Sequence, residues 1–380
     1  MVKSNTDALG IIFPNASDSL VPEMVTDRTM ASIPFGGRYR LVDFMLSSMV
    51  NSGISNVSLV VKQNYHSLMD HLGTGREWDL SRKRGGLNLV PPYAEAGVKM
   101  YRGRVEALAS IVDFLEDQKE EFVIMCDSNI VFNFDFNQLI EAHISTGADV
   151  TVMYEKRPIP QGLVNDNFTL RMQEGRVSEL LSNDYRPGVQ NLSMNVYIIQ
   201  REALITMIRD ASIRGLVYFE KDILARNLEL LNVQGYEYTG YTARIADRKT
   251  YFDENMRLLE QANLDALFPE ELPVYTKVHD NAPTRYAMDS RIKNSLVADG
   301  CIIEGEVENC VLFRGVRVKK GAKVKNCVLM QNTIVEPGAQ AEYVVTDKNV
   351  KLTTDRKLSG TDTFPIYVAR AIPCKKPYEG

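Results

Sequence analysis

Through the first half of the chain, apolar residues gather in short, nearly unbroken runs. Runs rich in β-branched and aromatic residues at 8–13, 57–62, 122–126, 150–155 and 192–200 alternate with helically spaced stretches at 41–52, 106–119 and 136–145. Strands separated by helix-length segments are the pattern of βαβ units. Near-continuous apolar strands fit a parallel sheet covered on both faces. A ligand of such a sheet sits in the crevice outside the carboxyl ends of the strands. Chemistry is therefore expected in the loops that begin at Pro14 and Asp127.

Past residue 290 the beat changes. Val316, Ala322, Val328 and Ile334 fall six apart, and Val318, Val324 and Met330 form a second row two positions on. Gly315 and Gly321 each precede the first row, where a tight corner needs a residue free to take positive φ. A six-residue period predicts a parallel β-helix with three short faces per coil. The competing reading, an ordinary sandwich, would alternate with a period of two. The Pro-containing stretch 268–283 separates the two patterns. The expected organisation is an α/β domain over 1–267, a linker over 268–290, and a hexapeptide-repeat unit over 291–380.

Composition narrows the class. At 380 residues the length points to two domains. A 44% hydrophobic and 24% charged content is that of a soluble globular chain, not a disordered or fibrous one. No apolar run approaches the ~20 residues needed to cross a bilayer, and the start at Met1 shows no cleavable signal pattern. The net charge of −5 argues against a general nucleic-acid binder. Cys126, Cys301, Cys310, Cys327 and Cys374 are scattered, without the spacing of a disulfide framework or zinc site. A cytoplasmic protein is expected. His66, His71, His143 and His279 lack ligand spacing, and the Gly- and Arg-rich segment 73–86 around Trp78 reads as a mobile loop. Arg314, Arg317, Lys319 and Lys320 read as a solvated face, with an anionic effector site as the alternative.

The loop after the first strand reads Pro14-Asn15-Ala16-Ser17-Asp18-Ser19-Leu20, with no glycine and no cation. Phosphate cradles need backbone N–H groups that approach closely, which glycine permits. This loop is a poor one.

Ile33-Pro34-Phe35-Gly36-Gly37-Arg38-Tyr39-Arg40-Leu41-Val42-Asp43-Phe44, with Leu46-Ser47 and Asn51-Ser52-Gly53-Ile54, resembles the signature of the glucose-1-phosphate adenylyltransferase (ADP-glucose pyrophosphorylase) family. Tyr101-Arg102-Gly103 with Glu106-Ala107, Met125-Cys126-Asp127, Ser193-Met194, Phe219 with Lys221-Asp222-Ile223, and Asn255-Met256 extend the match in order. The resemblance implies a Rossmann-like nucleotidyltransferase domain followed by a left-handed parallel β-helix. It also implies a reaction joining ATP and glucose 1-phosphate into ADP-glucose and pyrophosphate.

The departures from that family fall on its chemistry. The first-loop arginines become Ser17 and Leu20, and the lysine of the following segment becomes Met30. A small-residue nucleotide segment reads Gly103-Arg104-Val105-Glu106-Ala107. Of the two Mg²⁺ aspartates, one is kept as Asp127 and the other is Arg244. In the sugar-phosphate site Tyr101, Ser193 and Asp222 match, whereas an E-K pair becomes Ser182-Asn183 and a glycine becomes Asn167. Nucleotidyl transfer depends on positioning and on neutralising phosphate charge. An arginine in place of an oxygen ligand repels the ion; at ~4 Å each unit-charge repulsion is on the order of 1–4 kcal/mol. Losing a single oxyanion donor slows catalysis by roughly 10²–10³.

Salt bridges of Arg244 and Arg104 with Asp127 and Glu106 would fill such a site. Three function classes remain. One is a catalytically impaired, regulatory subunit paired with an active adenylyltransferase chain in a mixed oligomer, by resemblance a tetramer of bacterial glycogen synthesis. It would have no cofactor of its own, with Mg²⁺ in the active partner. Another is an active nucleotidyltransferase with a rearranged site. The last is a β-helix acyltransferase, weakened because 280–380 holds no histidine to act as base. The first is the expectation.

Overall fold

The computed structural model describes residues 7–91, 101–159, 167–184 and 186–370. The chain forms two compact units, one from 1–33, 41–246 and 266–277, the other from 34–40, 247–265 and 278–380. Cys374 lies outside the described residues; the other four cysteines are buried and free.

In the first unit β1 (Ala8–Phe13), β2 (Asn56–Val60), β3 (Gly86–Val90), β4 (Phe122–Asp127), β5 (Val150–Pro158), β6 (Phe168–Gln173), β7 (Arg176–Ser182), β8 (Val189–Gln200) and β9 (Val233–Glu237) make one sheet. Their order is β3-β2-β1-β4-β8-β5-β9-β7-β6. Alternate residues feed two cores: Leu9, Ile11, Val123 and Met125 on one face, Ala8, Ile12, Ile124 and Cys126 on the other. Both faces are thus covered, as the apolar runs predict. The sheet is nevertheless mixed, not wholly parallel. β3, β2, β1 and β4 run parallel, but β8 is antiparallel to β4 and β5. It follows the β6–β7 hairpin, and a hairpin reverses direction where a helical crossover would restore it.

Other expectations change locally. The helix predicted over 106–119 is two helices, Arg104–Ala109 and Val112–Glu116. Between them the Ser110 hydroxyl donates to the Ala107 carbonyl at 2.7 Å, a local bond that competes with helix propagation. The segment read as a mobile loop is anchored at Trp78, which is 1% exposed and in edge contact with the ring of His71. His71 in turn bonds the buried carboxylate of Asp43 at 2.5 Å. The stretch after 268 is tied down rather than free. The Tyr275 amide donates to Ser47 Oγ at 2.9 Å, and Asn51 and Asn133 donate to the carbonyls of Pro273 and Leu272. These bonds place 266–277 in the first unit, while 247–265 belongs to the second.

The second unit is a stack of short parallel strands on three faces. Glu306–Leu312 and Lys323–Leu329 each bend round a corner, at Asn309 and Asn326 with φ of 51° and 50°. Asn309 Nδ2 donates to Asn326 Oδ1 at 3.2 Å, 17 positions along, and Asn294 donates to Asn309 in the same way. Gly315 and Gly321, the predicted corner glycines, have φ of 72° and 76°. The two six-residue rows do not persist. Register runs 306–323–340, a repeat of 17 rather than three sixes, so the inward positions shift to Cys327 and Leu329 in place of Val328 and Met330. The tight asparagine corner uses one residue fewer. The hairpin 34–40 is held to the helix Arg248–Arg257, where Asn255 Oδ1 accepts the Gly36 amide and the Tyr251 hydroxyl donates to the Pro34 carbonyl. Among the described residues, no helix is long and apolar enough to cross a membrane.

Candidate functional site

β1 and β4 are parallel neighbours that bring Phe13 opposite Asp127, so both loops marked by the sequence leave the sheet at the same edge. With Lys62, the start of the helix Arg104–Ala109, and a π-helical turn at Phe219–Leu224, they enclose a cleft of about 160 Å³. Single π-turns recur at functional sites. Of the sequence-predicted residues, Ser17, Tyr101, Arg104 and Asp127 line this cleft, and Leu20, Met30, Arg244, Ser193 and Asp222 do not.

At its floor lies a buried ion triad. Arg104 donates to Asp127 Oδ1 at 2.7 Å and its other terminal nitrogen lies 2.7 Å from Glu220 Oε1. The guanidinium also stacks at 4.8 Å from the Phe13 ring centroid and 5.1 Å from that of Tyr197. Burial works against the charged guanidinium, but Asp127 and Glu220 outweigh it and hold its pKa above the ordinary value. Burial pushes Asp127 up from 3.8 to about 6, against the pull of Arg104 and a hydrogen bond with Asn195. Asn195 stands at a register shift in β8 with φ of 54°.

Arg244 takes a different set of partners. Its Nε donates to Glu155 Oε1 at 3.0 Å and a terminal nitrogen to the Ser193 carbonyl at 2.7 Å, all buried. Thr242 donates to the second oxygen of Glu155. Burial would raise the Glu155 pKa, but Arg244, Arg157 and Thr242 prevail and lower it. The expected pairing of Arg104 with Asp127 is therefore present. The expected pairings with Glu106 and between Arg244 and Asp127 are replaced: Glu106 binds Arg102, and Arg244 binds Glu155.

The first loop is stapled shut by its own carboxylate. Asp18 accepts the Asn15 side-chain amide and the Met30 backbone N–H, each at 2.7 Å, and burial raises its pKa despite them. Met30 is buried and Leu20 half-buried, so neither offers a polar group to a phosphate. Among the sugar-site residues, Tyr101 donates its hydroxyl to the Val60 carbonyl at 3.0 Å. Ser193 is buried, its hydroxyl bonded with Asn195. Asp222 accepts the backbone N–H groups of Tyr218 and Val217, which lower its pKa. Asn167 and Asn183, at two altered positions, bond each other.

Sequence reasoning passed over Lys62, Phe168, Asn195, Tyr218 and Glu220 as cleft residues. Glu220 had a signal: it sits inside the matched segment Phe219-Lys221-Asp222 as an acid two residues from an acid.

The Mg²⁺ implied by the resemblance does not fit this donor set. Asp127 already shares its charge with the tethered Arg104, the position of the second implied aspartate holds Arg244, which is bound to Glu155, and no group of three candidate ligands exists among the described residues.

Fold and cleft together define a nucleotidyltransferase-type α/β unit followed by a hexapeptide-repeat unit. Residues 25–224 match the family described as nucleotidyl transferase, and residues 277–363 match the GlmU-like, C-terminal hexapeptide family. The chain is 36% identical to "Glycogen biosynthesis protein GlgD" of Bacillus subtilis (strain 168), over 97% of each chain. It is 34% identical to the protein of that name from Geobacillus stearothermophilus, over 84% of this chain and 83% of that one. It is 30% identical to "Glucose-1-phosphate adenylyltransferase" of Geobacillus stearothermophilus, over 83% and 82%. The chain belongs to the glucose-1-phosphate adenylyltransferase family.

Proposed function

We propose that this chain is a regulatory, catalytically impaired subunit of glucose-1-phosphate adenylyltransferase in cytoplasmic glycogen biosynthesis. It pairs with an active chain in a mixed oligomer, a tetramer by resemblance, and takes no cofactor itself, the Mg²⁺ belonging to the active partner. The stacked second unit is read as a left-handed parallel β-helix. The observation that carries the reading is Arg104, buried between Asp127 and Glu220. A side-chain cation fixed at 2.7 Å from the retained aspartate competes with any metal for that carboxylate. Phosphoryl transfer relies on a mobile, doubly charged ion bridging phosphates, and a guanidinium whose charge is spent on two carboxylates supplies nothing equivalent. The Asp18 staple and the Arg244–Glu155 pair support the same reading, because each fills with protein contacts a position where the family presents groups to substrate.

The test is ADP-glucose synthesis from ATP, glucose 1-phosphate and Mg²⁺ by the purified chain, alone and mixed with an active adenylyltransferase chain from the same cell. Negligible turnover alone with an altered rate or effector response in the mixture is the expected result. Substantial turnover alone would instead favour an active nucleotidyltransferase built around Arg104.

A further inference from the structure

On one face of the second unit five strand segments lie side by side in parallel register: 291–293, 306–308, 323–325, 340–342 and 357–359. Their middle residues turn inward, and Val307, Val324 and Ala341 are buried in the core of the stack. The flanking residues form two outward rows, exposed or half-buried throughout. One row reads Arg291, Glu306, Lys323, Gln340, Lys357. The other reads Lys293, Glu308, Lys325, Glu342, Ser359. A groove of about 300 Å³ runs between them over the first three strands.

Neighbouring strands are about 4.7–4.9 Å apart, so charge alternates along each row at that interval. The chain uses part of this alternation itself. Lys323 lies 3.4 Å from Glu306, and Lys293 and Lys325 lie 3.4 and 3.8 Å from Glu308. Among the described residues, Arg291 and Glu342 have no ion-pair partner. A partner of one sign, such as a nucleic acid or an acidic peptide, is repelled wherever the row carries that sign. A fitting partner alternates at the same spacing with the opposite phase.

This face turned over on itself meets that requirement. Laid against a second copy, about a two-fold axis parallel to the strands and midway between 306–308 and 323–325, the first strand opposes the fourth and the second opposes the third. Glu306 then faces Lys323, Glu308 faces Lys325, and the unpaired Glu342 faces Lys293, each twice by symmetry. Arg291 faces the Gln340 amide. No like charges meet. Moving the axis by half a strand spacing, onto 306–308, sets Glu306 against itself and Arg291 against Lys323. A full spacing further on, towards the fourth strand, Glu308 and Lys323 face only Ser359 and Gln340. A two-fold axis along the rows sets Glu306 against Glu308 and Lys323 against Lys325. Opposed like charges are destabilising, so the pattern selects one antiparallel register and rejects its neighbours. We propose that this charged face is where a second copy of the chain docks, in that two-fold register. The pairing needs no part of the regulatory reading above; if both hold, the face joins the two copies of this chain in the mixed oligomer.

The experiment measures the mass of the full chain by light scattering at high protein concentration. The wild type should associate in low salt and fall to half that mass in about 1 M salt, where charges are screened beyond about 3 Å. Glu306→Lys/Glu308→Lys and Lys323→Glu/Lys325→Glu each set like charge against like across the axis. Each alone should show half the wild-type mass in low salt, with an unchanged circular dichroism spectrum. Mixed, the introduced lysines of one variant face the introduced glutamates of the other, and the wild-type mass should return. Misfolding cannot produce that recovery. Should a variant fail to fold, carbodiimide coupling of wild type mixed from light and heavy-isotope chains decides: links of 306 to 323 or 308 to 325 should join light chains to heavy ones. A wild type at the mass of one chain in low salt, folded variants of undiminished mass, a mixture that stays at half mass, or links confined to single chains would overturn the proposal. A wild type that stays single yet alters the active chain's rate removes this contact and leaves the regulatory reading standing; association through this face with no effect on the active chain gives the reverse.

Discussion

Arg104 and Arg244 are both buried arginines in a family active-site region, but they act on different neighbours. Removing one partner of a buried ion pair costs about 3–5 kcal/mol, because the remaining charge is left desolvated. Arg104→Met strands two carboxylates, so it should lower the thermal midpoint sharply, and Arg104→Met/Glu220→Gln should recover part of the loss. Neither variant should gain ADP-glucose synthesis. The two acids also predict opposite pH behaviour. Glu155 is depressed below its ordinary 4.5, so its contribution is present above that pH and lost as pH falls below it. Asp127 is raised from 3.8 to about 6, so the folded state binds the extra proton and this contribution is lost as pH rises from 3.8 towards 6. Chemical denaturation across pH 3.5–7 should therefore show Glu155→Gln flattening the acid limb, and Asp127→Asn removing a decline towards pH 6. The positions of Arg104, Asp127 and Arg244 were legible because each departs from or keeps a family motif. The partner of Arg244 was not, since Glu155 lies 89 positions away and only the folded sheet brings them together.

At the scale of elements, local pattern was informative wherever local physics decided the conformation. Strands, helices and the corner glycines follow from apolar runs and from the need for positive φ. The direction of β8 and the 17-residue repeat did not, because each depends on which connection or corner precedes the strand. The asparagine corner gives a prediction of its own. Asn326→Gly loses only the ladder hydrogen bond from Asn309, about 0.5–1.5 kcal/mol. Asn326→Ala loses that bond and must also hold an L side chain at φ 50°, adding roughly 1–2 kcal/mol. In denaturant unfolding the alanine variant should be the less stable of the two. Equal stability would mean that the left-handed corner carries no strain that asparagine relieves.

For the whole molecule, the two-unit plan was visible in the change of hydrophobic period, while the boundaries were not. Residues 34–40 and 247–265, both part of the second unit, are held to each other by bonds such as Gly36 to Asn255, made across 219 positions. On the proposed reading such long-range supports keep what folding needs, while Arg104 occupies the cleft and Asp18 and Arg244 are tied up beside it in protein contacts. Loss distributed over several residues cannot be repaired at one. Arg244→Asp should leave ADP-glucose synthesis negligible, because Asp127 stays bound to Arg104, the Asp18 staple stays closed, and the new carboxylate faces Glu155. That same crowding of acids should destabilise the variant, so a folded sample confirmed by circular dichroism is part of the assay. Regulation of an active chain requires contacts that differ in energy between its two states, and couplings of this kind are typically 1–3 kcal/mol, or about 5–150-fold. Titrating wild-type chain into active chain should therefore change the rate or the effector midpoint by at least about fivefold and then saturate. Arg244→Asp, if folded, should do the same. High turnover of that single variant alone would show that the loss was never distributed.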